Sequence, residues 1–153
     1  MNIRYAEIRD VDFLEKSLKE ICAFHSEGRP DLFNKDGVKY NEEQVAELIK
    51  TNIVLVAEDA GELCGYLVAK LREYSGAAQM REHISLYVDD LYVVPEKRKL
   101  GVGKLLMEKS FEIARECGCY NVILNVWDFP GSSIGFYESL GMKPMSHMME
   151  TIL

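Results

Sequence analysis

The stretch RKLGVG at residues 98–103 combines two cations with two glycines, and it lies between the strand-like run 91–94 and a helical pattern. Glycines let the backbone approach a ligand closely, and the start of a helix offers unpaired N–H groups at the positive end of its dipole. Cations at such a helix start oppose the dipole by about 0.3–1 kcal/mol each. An anion such as a pyrophosphate would neutralise them, whereas the stretch alone is also consistent with a glycine turn that carries solubilising lysines. With the flanking lysines, four cations lie at this helix start: Lys97, Arg98, Lys99 and Lys104.

Two other glycine-rich phosphate motifs do not fit this stretch. A Walker loop requires GxxxxGK followed by Ser or Thr, but Arg98 stands at its first glycine and Leu105 follows Lys104. A dinucleotide fingerprint requires a third glycine where this chain has Leu106. The pattern that fits is Arg or Gln, two residues, Gly, one residue, and then Gly or Ala.

Two adjacent carboxylates, Asp89 and Asp90, interrupt the otherwise apolar strand 86–94. Neighbouring residues of a regular strand point to opposite faces, so one of the two would face a buried layer. A buried carboxylate is costly unless it is paired or functional, and a bulge could turn both side chains towards one cleft. We expect one of them to bind an amine or act as its base, with Asp90 favoured. The alternatives are a structural ion pair and an exposed acid.

Composition and charge exclude several classes of protein. Of the 153 residues, 48% are apolar and 28% are charged, which is typical of one globular domain over 1–153. A net charge of −7 argues against a duplex nucleic-acid binder. The start shows no signal-peptide pattern, no run is long enough to span a membrane, and the cysteines and histidines lack metal-ligand spacing. These features predict a cytoplasmic, metal-free protein.

Hydrophobic periodicity predicts one α/β domain in which the elements follow the order β-α-α-β-β-β-α-β-α-β. The run 121–126 is apolar on both faces, which favours a central strand. Strands are predicted at 3–8, 53–59, 63–72, 84–94 and 121–126, helices at about 12–26, 41–51, 101–117 and 132–140, and a weak strand at the C-terminus.

The run 89–108 closely resembles the acetyl-CoA-binding motif of the GCN5-related N-acetyltransferases (GNAT family). The run 124–142 resembles the second half of that family, including a helix that bears Phe-Tyr-Glu, and 3–12 resembles its opening strand and helix cap. The order of elements is also that of the family, so the resemblance covers essentially the whole chain. It implies a mixed, mostly antiparallel sheet with helices on both faces.

The resemblance assigns the donor site to the long strand and the glycine loop. It implies that Leu91, Tyr92 and Val93 pair their backbones with the pantetheine arm, as an added strand would. It also implies that the Val93 N–H polarises the thioester carbonyl. The pyrophosphate would be wrapped mainly by backbone N–H groups of Arg98, Lys99, Leu100, Gly101, Val102, Gly103 and Lys104.

Tyr137 is the general acid that the resemblance implies. A phenol with a reference pKa of about 10 is protonated at neutral pH and can give its proton to the departing CoA thiolate. The alternative is a packed core tyrosine beside Phe136.

One position departs from the family pattern. The asparagine that often precedes the catalytic tyrosine by seven residues and contacts the pantetheine arm is Pro130 here. Because proline has no N–H donor, that contact must be lost or taken over by Ser132 or Ser133, which could also cap the following helix.

The acceptor side is less defined by the sequence. The run 25–33 resembles a pattern found in a subset of the family, and Arg29, Asp31 and Phe33 could line the acceptor wall. A proline loop with a satisfied salt bridge is the favoured alternative. Tyr74, Trp127 and Phe129 are further candidates for the cleft.

The predicted function is transfer of the acetyl group from acetyl-CoA, as cosubstrate, to a primary amine by direct attack in a ternary complex. No cysteine with a histidine partner suggests a covalent intermediate. The alternatives are a CoA-binding regulatory module without catalysis and an acyltransferase that uses another acyl-CoA. The expected partner is an amine substrate, without nucleic acid or membrane, and the resemblance suggests a homodimer through C-terminal strands.

Overall fold

The computed structural model describes residues 1–153, and its centre is one five-stranded sheet in the order β1-β2-β3-β4-β5. The first four strands pair antiparallel, and β5 pairs parallel to β4. This arrangement confirms the mixed, mostly antiparallel sheet. The strands are β1 (Asn2–Tyr5), β2 (Ile53–Asp59), β3 (Glu62–Tyr74), β4 (His83–Val93) and β5 (Asn121–Leu124).

Four helices accompany the sheet, as the periodicity predicts. A capping box starts α2, because the Asn41 side chain accepts from the Gln44 N–H and the Gln44 side chain accepts from the Asn41 N–H. Gly118 follows the end of α3 with φ of +67°, a conformation that glycine adopts without strain. No helix is long and apolar enough to cross a membrane. The helices are α1 (Val11–Gly28), α2 (Glu42–Thr51), α3 (Val102–Glu116) and α4 (Ile134–Ser139).

The sheet buries a separate apolar cluster on each face, which confirms helices on both sides. On one face, Leu14 and Leu18 of α1 and Val45 of α2 pack against Val56 and Tyr66 of the sheet. The cluster on the other face joins α3 to β2, β3 and β4 through Leu55, Leu67, Leu86, Leu106 and Met107. Each of these side chains removes apolar area from water at about 25 cal/mol per Å². The sheet is therefore held from both sides and can place β4 accurately.

A buried ion pair fixes the start of α1 to the edge of the sheet. The Asp10 carboxylate is 3% exposed and accepts hydrogen bonds from Arg4 Nη1 at 2.7 Å and from the Glu7 N–H at 2.8 Å. Arg4 Nε also donates to Glu58 on β2 at 2.9 Å. One guanidinium thus connects β1, β2 and the turn before α1.

The C-terminal prediction is wrong: residues 143–153 form no strand. Met148, Met149 and Ile152 are at least 77% exposed, so the segment buries no alternating face that would fix a register. Pro144 also lacks the N–H that a ladder requires. As a result β5 lies at the edge of the sheet and is only half-buried, which corrects the prediction of a central strand.

Candidate functional site

The glycine loop ends at the start of α3 in a backbone conformation that leaves its amides free. Gly101 is the N-cap residue with φ of +86°, Lys99 also has a positive φ of 62°, and no side chain caps the helix. The backbone N–H groups of residues 99–104 donate to no other backbone group, and the first amide that does is that of Leu105, to the Gly101 carbonyl. The loop therefore presents a run of consecutive unpaired donors at the positive end of the α3 dipole.

The cations of the glycine loop differ in the protein groups that they contact. Lys97 Nζ lies 2.8 Å from Asp59 Oδ2, and Arg98 Nε donates to the Val93 carbonyl at 3.0 Å. Lys104 has only an exposed contact of 3.7 Å with Glu108. Lys97 is therefore neutralised within the protein, and the excess positive charge at the helix start is smaller than the sequence suggests.

An open strand edge adjoins the loop. β5 pairs with β4 only from Ser85 to Val88, and the last pair is Val88 with Leu124. From Asp90 to Val93, β4 is paired on its β3 side alone. The residues expected to pair with pantetheine lie on this open segment, which has no partner on its β5 side. Backbone groups at an open edge are available to a ligand that adds as a strand.

Helix α4 packs on the first turn of α3, and Gly103 allows it to do so. A Cβ on Gly103 would lie 3.2 Å from Phe136 Cζ and 3.7 Å from Val93 Cγ2. Glycine at this position therefore serves close helix packing, in addition to the phosphate role that the sequence suggests.

Tyr137 follows Phe136 on α4 and packs against the α3 side of the sheet. Burial, together with the negative charge of Asp90, raises the pKa of its phenol to about 12. The phenol is thus protonated throughout the neutral range. Its position is compatible both with a general acid and with a packed core tyrosine.

The strand β4 has a bulge at the two carboxylates. Val68 on β3 pairs with Asp90 and the next residue, Ala69, pairs with Val88, so Asp89 is the extra residue. Both carboxylates contact the same cation: Lys39 Nζ lies 2.9 Å from Asp89 Oδ2 and 2.6 Å from Asp90 Oδ2. The bulge that the sequence suggests is confirmed, and it turns both acids to one side.

At the cluster of Lys39, Asp89 and Asp90, burial and the neighbouring charges shift the pKa values of the side chains in opposite directions. The Asp90 side chain is 4% exposed, and its burial raises the pKa of the carboxyl although Lys39 opposes the rise. Burial lowers the pKa of Lys39, but Asp90 and Asp89 outweigh it and raise the pKa above its ordinary value. With both acids ionised the cluster carries one net negative charge.

Sequence reasoning missed Lys39. The cation reaches the bulge from the loop between α1 and α2, about fifty residues away along the chain. A pair of buried acids implies a counter-cation, and this signal was present. No sequence pattern distinguished Lys39 from the other lysines. A loop has no hydrophobic periodicity, so its sequence does not predict which residues its side chains contact.

A group of aromatic side chains that includes His25 lies near Lys39. The ring of Phe33 lies edge-on to Trp127 at 5.2 Å, and His25 lies 5.3 Å from Phe33. Burial and the nearby Lys39 lower the pKa of His25, which keeps the ring neutral. Together with Phe24 and Phe129, whose centroids are 5.4 Å apart, these residues are called the aromatic cluster below.

The remaining acceptor-side predictions have mixed outcomes. Arg29 forms ion pairs with Asp31 at 2.8 Å and with Glu150 at 2.7 Å, as the salt-bridge alternative predicts. Tyr74 stacks on His83 at 4.6 Å, at the opposite end of β4 from the glycine loop, so its prediction as a cleft residue is wrong.

The serines before α4 do not cap it through their side chains. Ser133 is the N-cap residue, but only its carbonyl is used, accepting from the N–H groups of Phe136 and Tyr137. The predicted side-chain cap is therefore wrong, because the Ser133 backbone is close to helical instead of extended.

No group of three or more His, Cys, Asp or Glu side chains is arranged to hold a metal ion.

Relatives match parts of the chain. Thialysine N-epsilon-acetyltransferase of Sus scrofa is 32% identical over 62 residues, which cover 40% of this chain and 36% of the relative. Glucosamine 6-phosphate N-acetyltransferase of Trypanosoma brucei brucei is 40% identical over 63 residues, 41% of either chain. The chain thus spans well under half the length of each relative.

Solved structures match the whole fold. A mutant of the BH1408 protein from Bacillus halodurans has a TM-score of 0.94 at 26% identity and covers 100% of this chain and 99% of that chain. An aminoglycoside N-acetyltransferase in complex with CoA has a TM-score of 0.70 at 14% identity, with coverage of 99% and 98%. The second likeness concerns the fold alone.

The family model described as Acetyltransferase (GNAT) family matches residues 18–142. This span includes the open segment of β4, the glycine loop and Tyr137 on α4. It also includes the helix α1 from Leu18 onward and the bulge. The chain belongs to the GNAT family of acetyltransferases.

Proposed function

We propose that this protein transfers the acetyl group of acetyl-CoA to a primary amine by direct attack in a ternary complex. The observation that carries the proposal is that three features follow one another along β4 and the start of α3. The bulge with Asp90 begins the open edge of β4, and the unpaired amides of residues 99–104, which form the donor end of the site, come after that edge.

The donor end suits a pyrophosphate through backbone groups more than through side-chain charge. The consecutive N–H groups of 99–104 and the dipole of α3 attract the anion, and Lys99 adds a cation. A surface cavity of about 500 Å³ extends from Lys104 along α3 to Ser139 and Leu140 of α4. We assign the nucleotide end of CoA to this cavity, and Ser132 and Ser133 remain candidate contacts for the pantetheine arm.

The wall formed by Leu91, Tyr92 and Val93 orients the thioester. These residues belong to the segment of β4 without a partner on the β5 side, so their outward backbone groups can pair with pantetheine. The Val93 N–H polarises the carbonyl and stabilises the oxyanion of the tetrahedral intermediate.

Asp90 receives the proton of the incoming ammonium. Its Oδ2 accepts from Lys39, whereas its Oδ1 accepts no hydrogen bond within the protein and is open to an amine. The net negative charge of the Lys39, Asp89 and Asp90 cluster attracts an ammonium, and Asp89 supports that attraction. The neutral nitrogen then forms a bond to the thioester carbon, and the carbon–sulfur bond breaks.

Tyr137 donates its proton to the departing thiolate. Because its pKa is about 12, the phenol is a proton donor at neutral pH and matches a thiolate that becomes basic as the carbon–sulfur bond breaks. The nitrogen of the tetrahedral intermediate loses its second proton as the amide forms, and this proton returns to the tyrosinate through water. Asp90 then releases the first proton to solvent, so that one proton is released in each turnover. No residue of the chain carries the acetyl group in this scheme.

The acceptor is a small primary amine. The two relatives described above are named for thialysine and glucosamine 6-phosphate, and an Escherichia coli relative that is 27% identical over 96 residues is named an L-amino acid N-acyltransferase. Each name specifies a small molecule with an amino group. The aromatic cluster offers an apolar wall beside the amine site, which favours an acceptor with a short apolar portion.

Thiol release from acetyl-CoA across a panel of amino acids, amino sugars, polyamines and short peptides tests this proposal. We expect release with at least one class of small primary amine and none with the matching alcohols, in which a hydroxyl replaces the amino group. Binding of acetyl-CoA without release for any amine would favour the regulatory-module alternative. Release with propionyl-CoA or longer donors, but not with acetyl-CoA, would favour a different acyltransferase.

A further inference from the structure

The proposed catalytic scheme gives no role to the contact between the loop 29–41 and the bulge of β4. Lys39 Nζ bridges the two carboxylates, at 2.9 Å from Asp89 and 2.6 Å from Asp90. Its side chain is 30% exposed, whereas that of Asp90 is 4% exposed. The lysine is thus the more exposed partner, and it donates to only one oxygen of the inner carboxylate, Oδ2.

We propose that Lys39 is a positioning residue that keeps Asp90 ionised and holds its free oxygen towards the amine site. This inference rests on the proposed function of Asp90 as the base. It assigns Lys39 no contact with the reacting atoms.

No other cation could replace Lys39 at this site. Asp90 faces Lys39 and Tyr40 of the loop 29–41, Asp89 beside it on β4, Tyr66 on β3 and Tyr137 on α4. All of these groups except Lys39 are negative or neutral at neutral pH. A carboxylate that is buried and lies beside a second carboxylate would take up a proton without a nearby positive charge.

Lys39 itself is unsuited to be the acetyl acceptor. Both carboxylates stabilise its ammonium form and raise its pKa, so its nitrogen keeps the proton that a nucleophile must lose. The two hydrogen bonds also hold the ammonium against the bulge. The lysine is therefore a fixed counter-ion, and the open oxygen of Asp90 is left for the substrate.

Carbon-13 NMR of aspartate-labelled protein tests the proposal without requiring activity. The carboxyl carbon of Asp90, assigned by its loss in Asp90→Asn, is followed through a pH titration in the wild type and in Lys39→Met. We expect its midpoint to move to higher pH in Lys39→Met and to return towards the wild-type midpoint in Lys39→Arg. The control is Lys35→Met, an exposed lysine of the same loop that forms no ion pair.

The pH dependence of kcat/KM for an accepted amine provides the second readout. In Lys39→Met we expect the acid limb to move to higher pH and kcat/KM at neutral pH to fall about tenfold, since the loss of an opposite charge disfavours the carboxylate. Asp89→Asn should move the same limb to lower pH, because Asp89 opposes the ionisation of Asp90. A merely structural role for Lys39 would lower the rate without moving the limb.

The outcomes separate the two proposals. An unmoved Asp90 midpoint in Lys39→Met would overturn the role of Lys39, whatever the activity. A moved midpoint in a protein that acetylates no amine would support that role and count against the proposed function. If Lys39→Met does not fold, the opposite shifts expected for Lys39→Gln and Asp89→Asn provide the same comparison.

Discussion

The ring of Phe136 lies directly against the Cα of Gly103, so that a methyl group there would come within 3.2 Å of Phe136 Cζ. This contact joins the first turn of α3, whose free amides we propose bind acetyl-CoA, to the helix that carries Tyr137. One packing contact therefore positions both the proposed donor loop and the proposed general acid.

Gly103→Ala is expected to disturb the two helices together. The added methyl group forces Phe136 to move by a few tenths of an ångström, and such overpacking typically costs about 1–3 kcal/mol. We expect a lower melting temperature and a lower kcat, because Tyr137 shifts with Phe136. Gly135→Ala on α4 is the control, since a Cβ there meets no atom within 4 Å. Equal effects of the two substitutions would contradict this role of the contact.

Gly101→Ala is expected to weaken acetyl-CoA binding. Gly101 has φ of +86° and an open environment, so alanine would meet no clash but would strain the left-handed turn by about 1 kcal/mol. We expect a smaller rise of the melting temperature with acetyl-CoA than in the wild type. Gly76→Ala carries the same strain, with φ of +77° and open space, but lies in another loop. An equal loss of the ligand-induced rise in both variants would remove the glycine loop from the donor site.

Tyr137→Phe is expected to lower kcat by about a hundredfold while the affinity for acetyl-CoA is kept, because only the proton donor is removed. Steady-state kinetics and isothermal titration with acetyl-CoA measure the two effects separately. Tyr120→Phe is the control, since that ring is 80% exposed. A rate for Tyr137→Phe equal to that of the control would make Tyr137 a packed core tyrosine.

Asp10→Ala is expected to reduce the free energy of unfolding by about 2 kcal/mol at neutral pH, the scale of a hydrogen bond to a charged group. Burial opposes ionisation of Asp10, but the hydrogen bond from Arg4 and that from the Glu7 N–H outweigh it and lower the pKa of the carboxyl. The stabilisation is thus present above the unfolded-state pKa and is lost as the pH falls through the folded-state pKa.

Urea unfolding at pH 7 and at pH 3 measures this dependence. We expect the difference between wild type and Asp10→Ala to shrink at pH 3, because the carboxyl of the unfolded chain is protonated below its ordinary pKa of 3.8 and the advantage of the folded carboxylate then decreases. The exposed Asp36→Ala is the control and should change the unfolding free energy little at either pH. A difference of constant size at both pH values would show that the carboxylate charge is not what stabilises the start of α1.

Sequence patterns correctly predicted the parts of the fold that depend on interactions between residues close together in the chain. The helices α1 and α3 have strong apolar periodicity, and the turn at Ala60 and Gly61 has the positive φ values that a tight hairpin requires. The donor loop was predictable for the same reason, since its glycines, its strand and its helix are contiguous in the chain.

Contacts between distant segments were not predictable in this way. Lys39 and Asp90 meet only because the loop 29–41 contacts the bulge of β4, and Glu150 reaches Arg29 from a segment without regular structure. The apolar run of β5 suggested a central strand, but the strand that would cover its outer edge is not formed by residues 143–153. The assembled fold determines which residue a long side chain contacts and which strand pairs at the edge of a sheet. Hydrophobic periodicity in the sequence predicts neither of them.

The most direct test of the account is a single-turnover reaction of the protein with carbon-13 acetyl-labelled acetyl-CoA and an accepted amine, followed by mass spectrometry of protein and product. We predict that the label passes to the amine as an acetamide, that free CoA appears at the same rate, and that the protein never gains the mass of an acetyl group. Direct attack of the amine on the thioester carbon would be contradicted by an acetylated protein that forms first and decays as the product appears, or by bound acetyl-CoA that remains intact with every amine.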